Sequence, residues 1–455
     1  MGEEGLDGRL VAAVRAGDAE SVRALLEEGA DPDALDADGL PVLCTAVAAY
    51  DDPVAEALME GGADPDRPLP DGTTPLLRAI DLGSPAVFST VLGGEPRLRL
   101  PEEARERHLT LARTWYENGA AEELRRRTGA TGPAETVRVQ DDEYSHVDQV
   151  TLGGLTVRAG HGAVLTSLEW AFRVLPPVDE LVARGLKYPD EDHVDRWSAT
   201  WILSRRRSKE TWLAVTAFRH HPDPAHRRFV LDFLRIRSLT GASDRNSYDK
   251  EESELFAAWA AEETDVDVLV RVLDVFAGYE RAEREAVGLR YAGHPNPRVR
   301  SEVPYLLGTY GSPLTPTART ALLALVRDPA PEVRSRVGAA LGTWHDLTPE
   351  VSEALLSLVR DPDAGVRGAA AAALARSPDR TPAGAEALAA LLDHEELLIR
   401  LEAVYGLAER NDPRCVEGLA RIGPLDPAFD DDHRRSAVRR YQWRMEEEAS
   451  AAAEQ

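Results

Sequence analysis

Apolar and polar positions between residues 294 and 408 repeat with a period of 33 or 34 residues. A turn-forming block, His-Pro-Asn-Pro-Arg-Val-Arg at 294–300, returns at 328–334, at 361–367 and, more loosely, at 393–400. Thr-Pro pairs recur in step at 315–316, 348–349 and 381–382. A period of this length predicts stacked supersecondary units, because one such unit is too small to bury its apolar face alone.

Each unit is predicted to be a pair of antiparallel helices. Thr348 can cap the first helix, and Pro349 suits its first position, where no N–H is needed. The Asp-Pro pair at 361–362 ends that helix because proline clashes with the preceding turn. Apolar residues at helical spacing from Val366 to Leu374 then mark a second helix.

The Asp-Pro break, the Val-Arg pair and the Leu-Gly ending at 307–308 and 341–342 resemble the HEAT repeat. The short form is similar to the phycobilisome-lyase-type repeats of bacterial proteins. Weaker second helices of this kind occur at 194–203, 225–234 and 266–276, and residues 239–253 are predicted to be an inserted loop. The resemblance implies a HEAT-like solenoid over 161–445, followed by a disordered polar tail at 446–455.

The first hundred residues contain a different repeat. Gly-Ala-Asp-Pro-Asp at 29–33 recurs at 62–66, and Asp-Gly pairs at 38–39 and 71–72 precede helix-opening segments. This pattern resembles the ankyrin repeat, although Pro41 and Val42 stand where threonine and proline are usual. Residues 102–130 are predicted to form two capping helices. We therefore assign 1–133 to an ankyrin-repeat domain.

Residues 134–160 interrupt the helical pattern. Strand-like segments at 147–152 and 155–158 flank Gly153 and Gly154, which favours a β-hairpin, and we interpret 134–160 as a linker. The predicted fold is an all-α tandem solenoid, ankyrin repeats then HEAT-like repeats, with a short hairpin linker.

Charge and cysteine content narrow the classes of function. The net charge is −26, and residues 1–100 carry 20 acidic and 7 basic side chains, which disfavours nucleic acids and anionic membranes as general partners. Cys44 and Cys415 are far apart, so neither a disulfide framework nor a zinc site is expected. The N-terminus lacks a signal-peptide pattern, and no apolar run approaches the roughly 18 residues of a membrane span. We expect a cytoplasmic protein without a cofactor.

Three groups of residues are candidate partner contacts. By resemblance to ankyrin proteins, the hairpin tips and one tyrosine are the first group, namely Asp36, Asp38, Tyr50, Arg67 and Asp71. The basic stretch at 201–240 supplies the second group, namely Arg205, Arg206 and Arg207. Outward positions of the second HEAT-like helices supply the third group, namely Glu302, Tyr305, Arg336, Glu402 and Tyr405, around a floor of alanines. Trp170, Trp197, Trp201 and Trp212 are expected to be core residues rather than a binding cage.

One arginine recurs in nearly every HEAT-like unit. This arginine ladder consists of Arg196, Arg227, Arg300, Arg334, Arg367 and Arg400. It could bind anions, or each arginine could bond the inter-helix turn or a neighbouring aspartate such as Asp328 or Asp361. A residue that recurs in so many units favours the structural interpretation, because it serves what each unit needs.

Three enzyme hypotheses fit these residues less well than a binding protein does. The HEAT-like repeats resemble those of deoxyhypusine hydroxylases, which carry paired His-Glu metal ligands in their second helices. In this chain every histidine of these pairs is missing, and the pairs read Ser301-Glu302, Ser335-Arg336, Gly368-Ala369 and Leu401-Glu402. A HEAT-like DNA glycosylase needs a basic cleft, and a bilin lyase is suggested by the repeat type alone. No catalytic motif is found.

The sequence predicts a non-catalytic scaffold or adaptor that binds other proteins, with two surfaces for up to two partners. Extended repeat stacks offer a long concave surface and no single catalytic cleft. The alternative is a nucleic-acid or phosphate-ligand site within 201–240, and a HEAT-like enzyme such as a lyase is less favoured.

Overall fold

The computed structural model describes residues 5–240, 248–279, 283–308, 314–342, 348–429 and 432–453. The chain divides into two compact units, residues 1–240 and 241–455. The described part holds 26 α-helices, two short 3-10 helices and one three-stranded sheet. This is the repeat solenoid that the sequence predicted.

The first unit begins with pairs of short helices. Its first nine helices are α1 (Leu6–Ala16), α2 (Ala19–Glu27), α3 (Val42–Ala49), α4 (Asp52–Glu60), α5 (Pro75–Leu82), α6 (Pro85–Leu92), α7 (Pro96–Arg99), α8 (Glu102–Asn118) and α9 (Ala120–Thr128). Side chains of Asp18, Asp51 and Thr74 accept hydrogen bonds from helix amides and so cap α2, α4 and α5. One apolar core runs through these helices and continues to Val164, Leu165 and Leu168.

The segment predicted as a linker is an ordered antiparallel sheet. Its strands are β1 (Glu135–Gln140), β2 (His146–Leu152) and β3 (Leu155–Arg158), in the order β1-β2-β3. Gly153 and Gly154 adopt left-handed φ angles of 62° and 82°, as a two-residue hairpin requires, which confirms the predicted hairpin. β1 was not predicted, because its side chains are mostly exposed and the segment lacks a buried apolar face. Val150, Leu152 and Val157 pack with Leu124 of α9 in a second apolar cluster.

The first unit continues with five further helices. They are α10 (His161–Ala171), α11 (Val178–Gly185), α12 (Val194–Arg205), α13 (Lys209–Ala217) and α14 (Pro224–Thr240), with a 3-10 turn at Phe218–His220. α10 packs against α6 and α8, so the first HEAT-like helices share a compact unit with the ankyrin repeats. The domain boundaries proposed from the sequence at 133 and 161 remain predictions.

The second unit is a row of helix pairs. Its helices are α15 (Asp249–Glu262), α16 (Val266–Ala277), α17 (Glu283–Tyr291), α18 (Pro297–Leu307), α19 (Pro316–Leu325), α20 (Pro331–Leu341), α21 (Pro349–Leu358), α22 (Ala364–Arg376), α23 (Pro382–Ala389), α24 (Leu397–Ala408), α25 (Arg414–Ile422) and α26 (His433–Ala453), with a 3-10 turn at Pro427–Phe429. Thr315 and Thr381 cap their helices as the pattern predicted, whereas Thr348 forms no side-chain cap bond.

Two expectations about irregular segments have different outcomes. α26 continues to Ala453, where a disordered tail was expected from residue 446. Alanine and glutamate are strong helix formers, so they extend a helix that is already nucleated by packing. The predicted loop at 239–253 falls mostly on residues 241–247, which lie outside the described residues.

The second helices of the pairs form the more closely packed side of the row, which we call its inner side. The helices α16, α18, α20, α22, α24 and α26 contact one another in succession, whereas the first helices from α19 onward contact one another sparsely. A Cβ at position 342 would lie 2.7 Å from Ala373 Cα, and one at position 406 would lie 2.8 Å from Ala375 Cα, so only glycine allows this approach.

Candidate functional site

The arginine ladder joins each repeat to its own turn and to the next repeat. In each of Arg300, Arg334 and Arg367, Nη1 donates to two carbonyl oxygens of the turn before its helix, at distances from 2.8 to 3.2 Å. The same guanidinium groups then reach the following repeat. Arg300 binds Asp328 and Arg334 binds Asp361, each pair at 2.7 Å.

The remaining ladder arginines vary this scheme. Arg367 donates to His394 Nε2 at 3.0 to 3.2 Å, because His394 occupies the aspartate position. Arg196 pairs with Asp232 at 2.6 Å, and Arg227 donates to the carbonyl oxygens of residues 221 and 222. Arg400 is half-buried, and its Nε has no hydrogen-bond partner among the described residues. Apart from Arg400, these contacts are the ones that the structural interpretation expects.

The expected outward positions of the second helices define the inner face of unit 2, namely Glu302, Tyr305, Arg336, Ala339, Ala369, Ala372, Glu402 and Tyr405. Glu302 is only 5% exposed, so the expectation that it faces outward is wrong. At one end Arg336 Nη2 donates to both carboxylate oxygens of Glu302 at 3.0 and 3.3 Å. The Arg336 guanidinium also lies 5.1 Å from the ring centroid of Tyr305. Burial raises the pKa of the Glu302 carboxyl, and the charge of Arg336 opposes that rise.

A second charged group lies at the other end of the inner face. Arg434 of α26 donates to Glu402 at 3.2 Å and to Asp432 at 2.7 Å, and its hydrogen bonds lower the pKa of Asp432 to about 2. Tyr405 packs edge-on against His433 with ring centroids 5.2 Å apart. Half-buried alanines at 339, 369 and 372 separate the two groups. The inner face therefore has an apolar floor between two aromatic and charged ends.

Several arginines of the basic stretch in unit 1 are paired with other side chains or partly buried, so fewer of them face solvent than the sequence suggests. Arg228 pairs with Glu191 at 2.5 Å, and Arg205 lies 5.8 Å above the Trp201 ring. Arg206 is half-buried, and Arg207 is exposed with a left-handed φ of 45°.

The tryptophans of this stretch are not all core residues. Trp212 is buried, but Trp197 is 50% exposed and stacks on Trp201 with centroids 6.0 Å apart. The expectation of a tryptophan core is therefore wrong for Trp197. Trp201 stands five residues after Arg196, as Tyr305 stands after Arg300, so an aromatic ring occupies the same helical position in both units.

The predicted ankyrin contacts are largely engaged within the fold. The carboxylates of Asp36 and Asp71 accept from amides of their own turns, and hydrogen bonds from Thr73 lower the pKa of Asp71 to about 2. Arg67 donates to Asp33 O at 3.1 Å, and Asp38 is exposed. The Tyr50 hydroxyl donates to Thr156 O at 3.2 Å with Arg158 above its ring, and burial raises its pKa to about 12. Tyr50 therefore anchors the sheet.

A buried polar cluster in unit 1 was not predicted from the sequence. Arg184 and Glu169, which are 1% and 2% exposed, form an ion pair at 2.8 Å between α11 and α10. Asp195 is 1% exposed, and burial raises its pKa to about 7. The only sequence signal for these buried charges was a charged residue within an apolar helical stripe, and hydrophobic periodicity does not tell whether such a residue is buried.

The described ranges contain neither a metal cluster nor a membrane-spanning helix. Within them no group of three or more His, Cys, Asp or Glu side chains is arranged to hold a metal ion. None of the described helices is long and apolar enough to cross a bilayer.

These features define a helical-repeat protein with two kinds of repeat. Residues 10–98 match the family model for ankyrin repeats (3 copies), and residues 319–408 match the model for HEAT repeats. The chain thus carries ankyrin repeats followed by HEAT repeats, which confirms the predicted order. No curated protein matches this chain.

Several solved structures are distantly similar. The X-ray structure of YIBA of E. coli is 14% identical with a TM-score of 0.44, covering 59% of this chain and 93% of that one. A Kap121p mutant is 12% identical with a TM-score of 0.41, covering 96% of this chain and 53% of that one, so this chain spans about half its length. Human deoxyhypusine hydroxylase in complex with glycerol is 15% identical with a TM-score of 0.25, and the match covers 62% of this chain and 98% of that one. Likenesses this low carry no argument about activity.

Proposed function

We propose that this protein is a non-catalytic scaffold that binds a protein segment along the inner face of unit 2. The observation that carries the proposal is the arrangement of that face. An alanine floor lies between Tyr305 with its Arg336–Glu302 pair and Tyr405 with its Arg434–Glu402 pair. Tyrosine and arginine are enriched among residues that dominate binding energy at interfaces.

The chemistry of the inner face favours a particular kind of segment. The floor offers only methyl groups to a partner, so it suits apolar side chains or a closely approaching helix. Each end offers a tyrosine hydroxyl and charged groups that are already paired with one another. Such pre-positioned groups lose little rotamer freedom on binding, which favours affinity.

A second surface in unit 1 supports an adaptor that holds two partners. A cleft of about 630 Å³ is bounded by α5, α8 and α9. Arg78, Arg107 and Arg126 line it together with Asp81 and Glu106. This mixed-charge cleft differs from the inner face, so the two surfaces select different proteins.

The nucleic-acid hypothesis has less support. Arg228 is paired with Glu191, and Arg227 is bonded to its own turn, so these arginines are less available to phosphates. Nucleic acid captured by the intact protein and released by salt would revive this hypothesis.

The test is affinity capture by the full chain with mass spectrometry. The double variant Tyr305→Ala plus Tyr405→Ala removes both aromatic ends, and Tyr144→Ala is the matched control because Tyr144 is 78% exposed on the turn after β1. We expect at least one protein to be retained roughly tenfold less by the double variant and equally by the control. Equal capture by all three proteins would refute the inner-face proposal.

A further inference from the structure

A separate cleft of about 760 Å³ opens in unit 1 beside the end of α10 and the start of α13. Trp170, Leu175, Pro176, Pro177 and Phe218 give it an apolar wall. Leu175 is 61% exposed, so its side chain is accessible to a ligand in the cleft. The wall can bury an apolar body of drug-like size.

Four charged side chains also line this cleft: Arg173, Asp179, Arg206 and Glu210. Asp179 and Glu210 are exposed in the first turns of α11 and α13, where water and the helix dipole stabilise their charge. Arg173 is exposed and stacks over Trp170 at 5.4 Å. These three charges need no further partner.

Arg206 is different, because its guanidinium is enclosed. Its Nε and Nη2 are out of contact with solvent and have no hydrogen-bond partner in the described part of the chain. Burial lowers the pKa of Arg206, and the negative charge of Glu169 opposes that lowering. Glu169, however, is already engaged by Arg184 at 2.8 Å and by Arg113 at 3.3 Å.

Enclosed guanidinium groups without a partner are costly, and they are relieved by a carboxylate that can bind two of their N–H groups. Nη1 is not enclosed, so it is the nitrogen at which an anion in the cleft first meets Arg206. A bidentate pair would also require Nη2 to turn toward the cleft. A doubly charged phosphate is less suitable, because Asp179 and Glu210 repel added negative charge.

We propose that this cleft binds a monocarboxylate with an apolar body, with Arg206 pairing the carboxylate and the Trp170–Phe218 wall covering the body. The carboxylate could belong to a free organic acid or to the C-terminus of a peptide that ends in an apolar residue. Both sources share the same chemistry at Arg206. This site is independent of the inner face of unit 2.

Calorimetry and Trp fluorescence with the full chain test the proposal. One arm uses 1-naphthoate against 1-naphthalenemethanol, which has no charge. The other arm uses a short peptide ending in Phe against the same peptide with a C-terminal amide. We expect at least one of the two carboxylates to bind one-to-one and at least tenfold more tightly than its neutral match, and the stronger arm identifies the source.

Variants then locate the binding. Arg206→Gln should weaken the carboxylate at least tenfold and leave the neutral match unchanged. Arg205→Gln is the matched control, since Arg205 is adjacent in sequence but lies over Trp201. Ala214→Trp should abolish binding by filling the cleft while Arg206 remains.

Three outcomes would overturn the proposal. They are absence of carboxylate binding at millimolar concentration in both arms, equal binding by Arg206→Gln and the intact protein, and tighter binding of inorganic phosphate than of either carboxylate. Circular dichroism of each variant separates lost binding from lost folding. If Arg206→Gln does not fold, the result for Ala214→Trp decides.

Discussion

Replacing Gly342 by alanine tests the close approach of α20 and α22 that places the second helices on the inner side. A Cβ at position 342 would lie 2.7 Å from Ala373 Cα and 2.8 Å from Ala373 Cβ. Favourable carbon–carbon contacts lie at about 3.5 to 4.0 Å, so the two helices must separate by roughly 1 Å. Forcing an extra methyl group into such a contact costs about 1 to 3 kcal/mol.

Gly278 offers a matched control at the end of α16. Its backbone angles are φ −73° and ψ −9°, and those of Gly342 are φ −73° and ψ −15°. A Cβ at position 278 would have its nearest contact at 3.4 Å. Both substitutions gain the same stabilisation of about 0.4 to 1 kcal/mol from a stiffer unfolded chain. The difference between the two variants is therefore the overpacking cost of about 1 to 3 kcal/mol.

Native-state hydrogen exchange in low urea measures this difference locally, which matters because repeat arrays open in parts. We expect the opening free energy of peptides from α20 to α22 to fall in Gly342→Ala and not in Gly278→Ala. Equal protection in both variants would show that α20 and α22 do not touch at this point. The assignment of the inner side would then lose its strongest support.

Two further predictions concern buried charge. Asp195 has its pKa raised to about 7, so its contribution to stability is complete below pH about 4 and is lost as pH rises through about 7. Asp195→Asn, which keeps the bond accepted from Ala163 N, should flatten the fall of unfolding free energy between pH 4 and 8, and parallel curves from urea titrations would contradict this. Arg334→Ala leaves Asp361 nearly buried without its partner and should cost about 2 to 4 kcal/mol in urea unfolding, whereas exposed Arg298→Ala should cost under about 1 kcal/mol. Similar losses for the two arginines would show that the ladder is not structural.

The repeat architecture and the positions of its helix starts and turns could be predicted from the sequence. The Asp-Pro breaks and the Thr-Pro helix starts affect only the few residues around them, so they can be interpreted without knowing the fold. Their recurrence about every 33 residues then indicates the repeat. Gly153 and Gly154 favoured a hairpin for the same reason, since a two-residue hairpin turn needs residues that adopt left-handed φ angles easily.

Which surfaces are available to a partner became visible only in the folded chain. Tyr50 was a candidate partner contact, but its hydroxyl donates a hydrogen bond to the carbonyl oxygen of Thr156, which is 106 residues away in the sequence. Trp197 was expected in the core, but α12 presents it to solvent. The enclosed guanidinium of Arg206 and the buried carboxyl of Asp195 depend on elements that meet only after packing. Burial and charge pairing arise from contacts distant in sequence, and no local pattern encodes them.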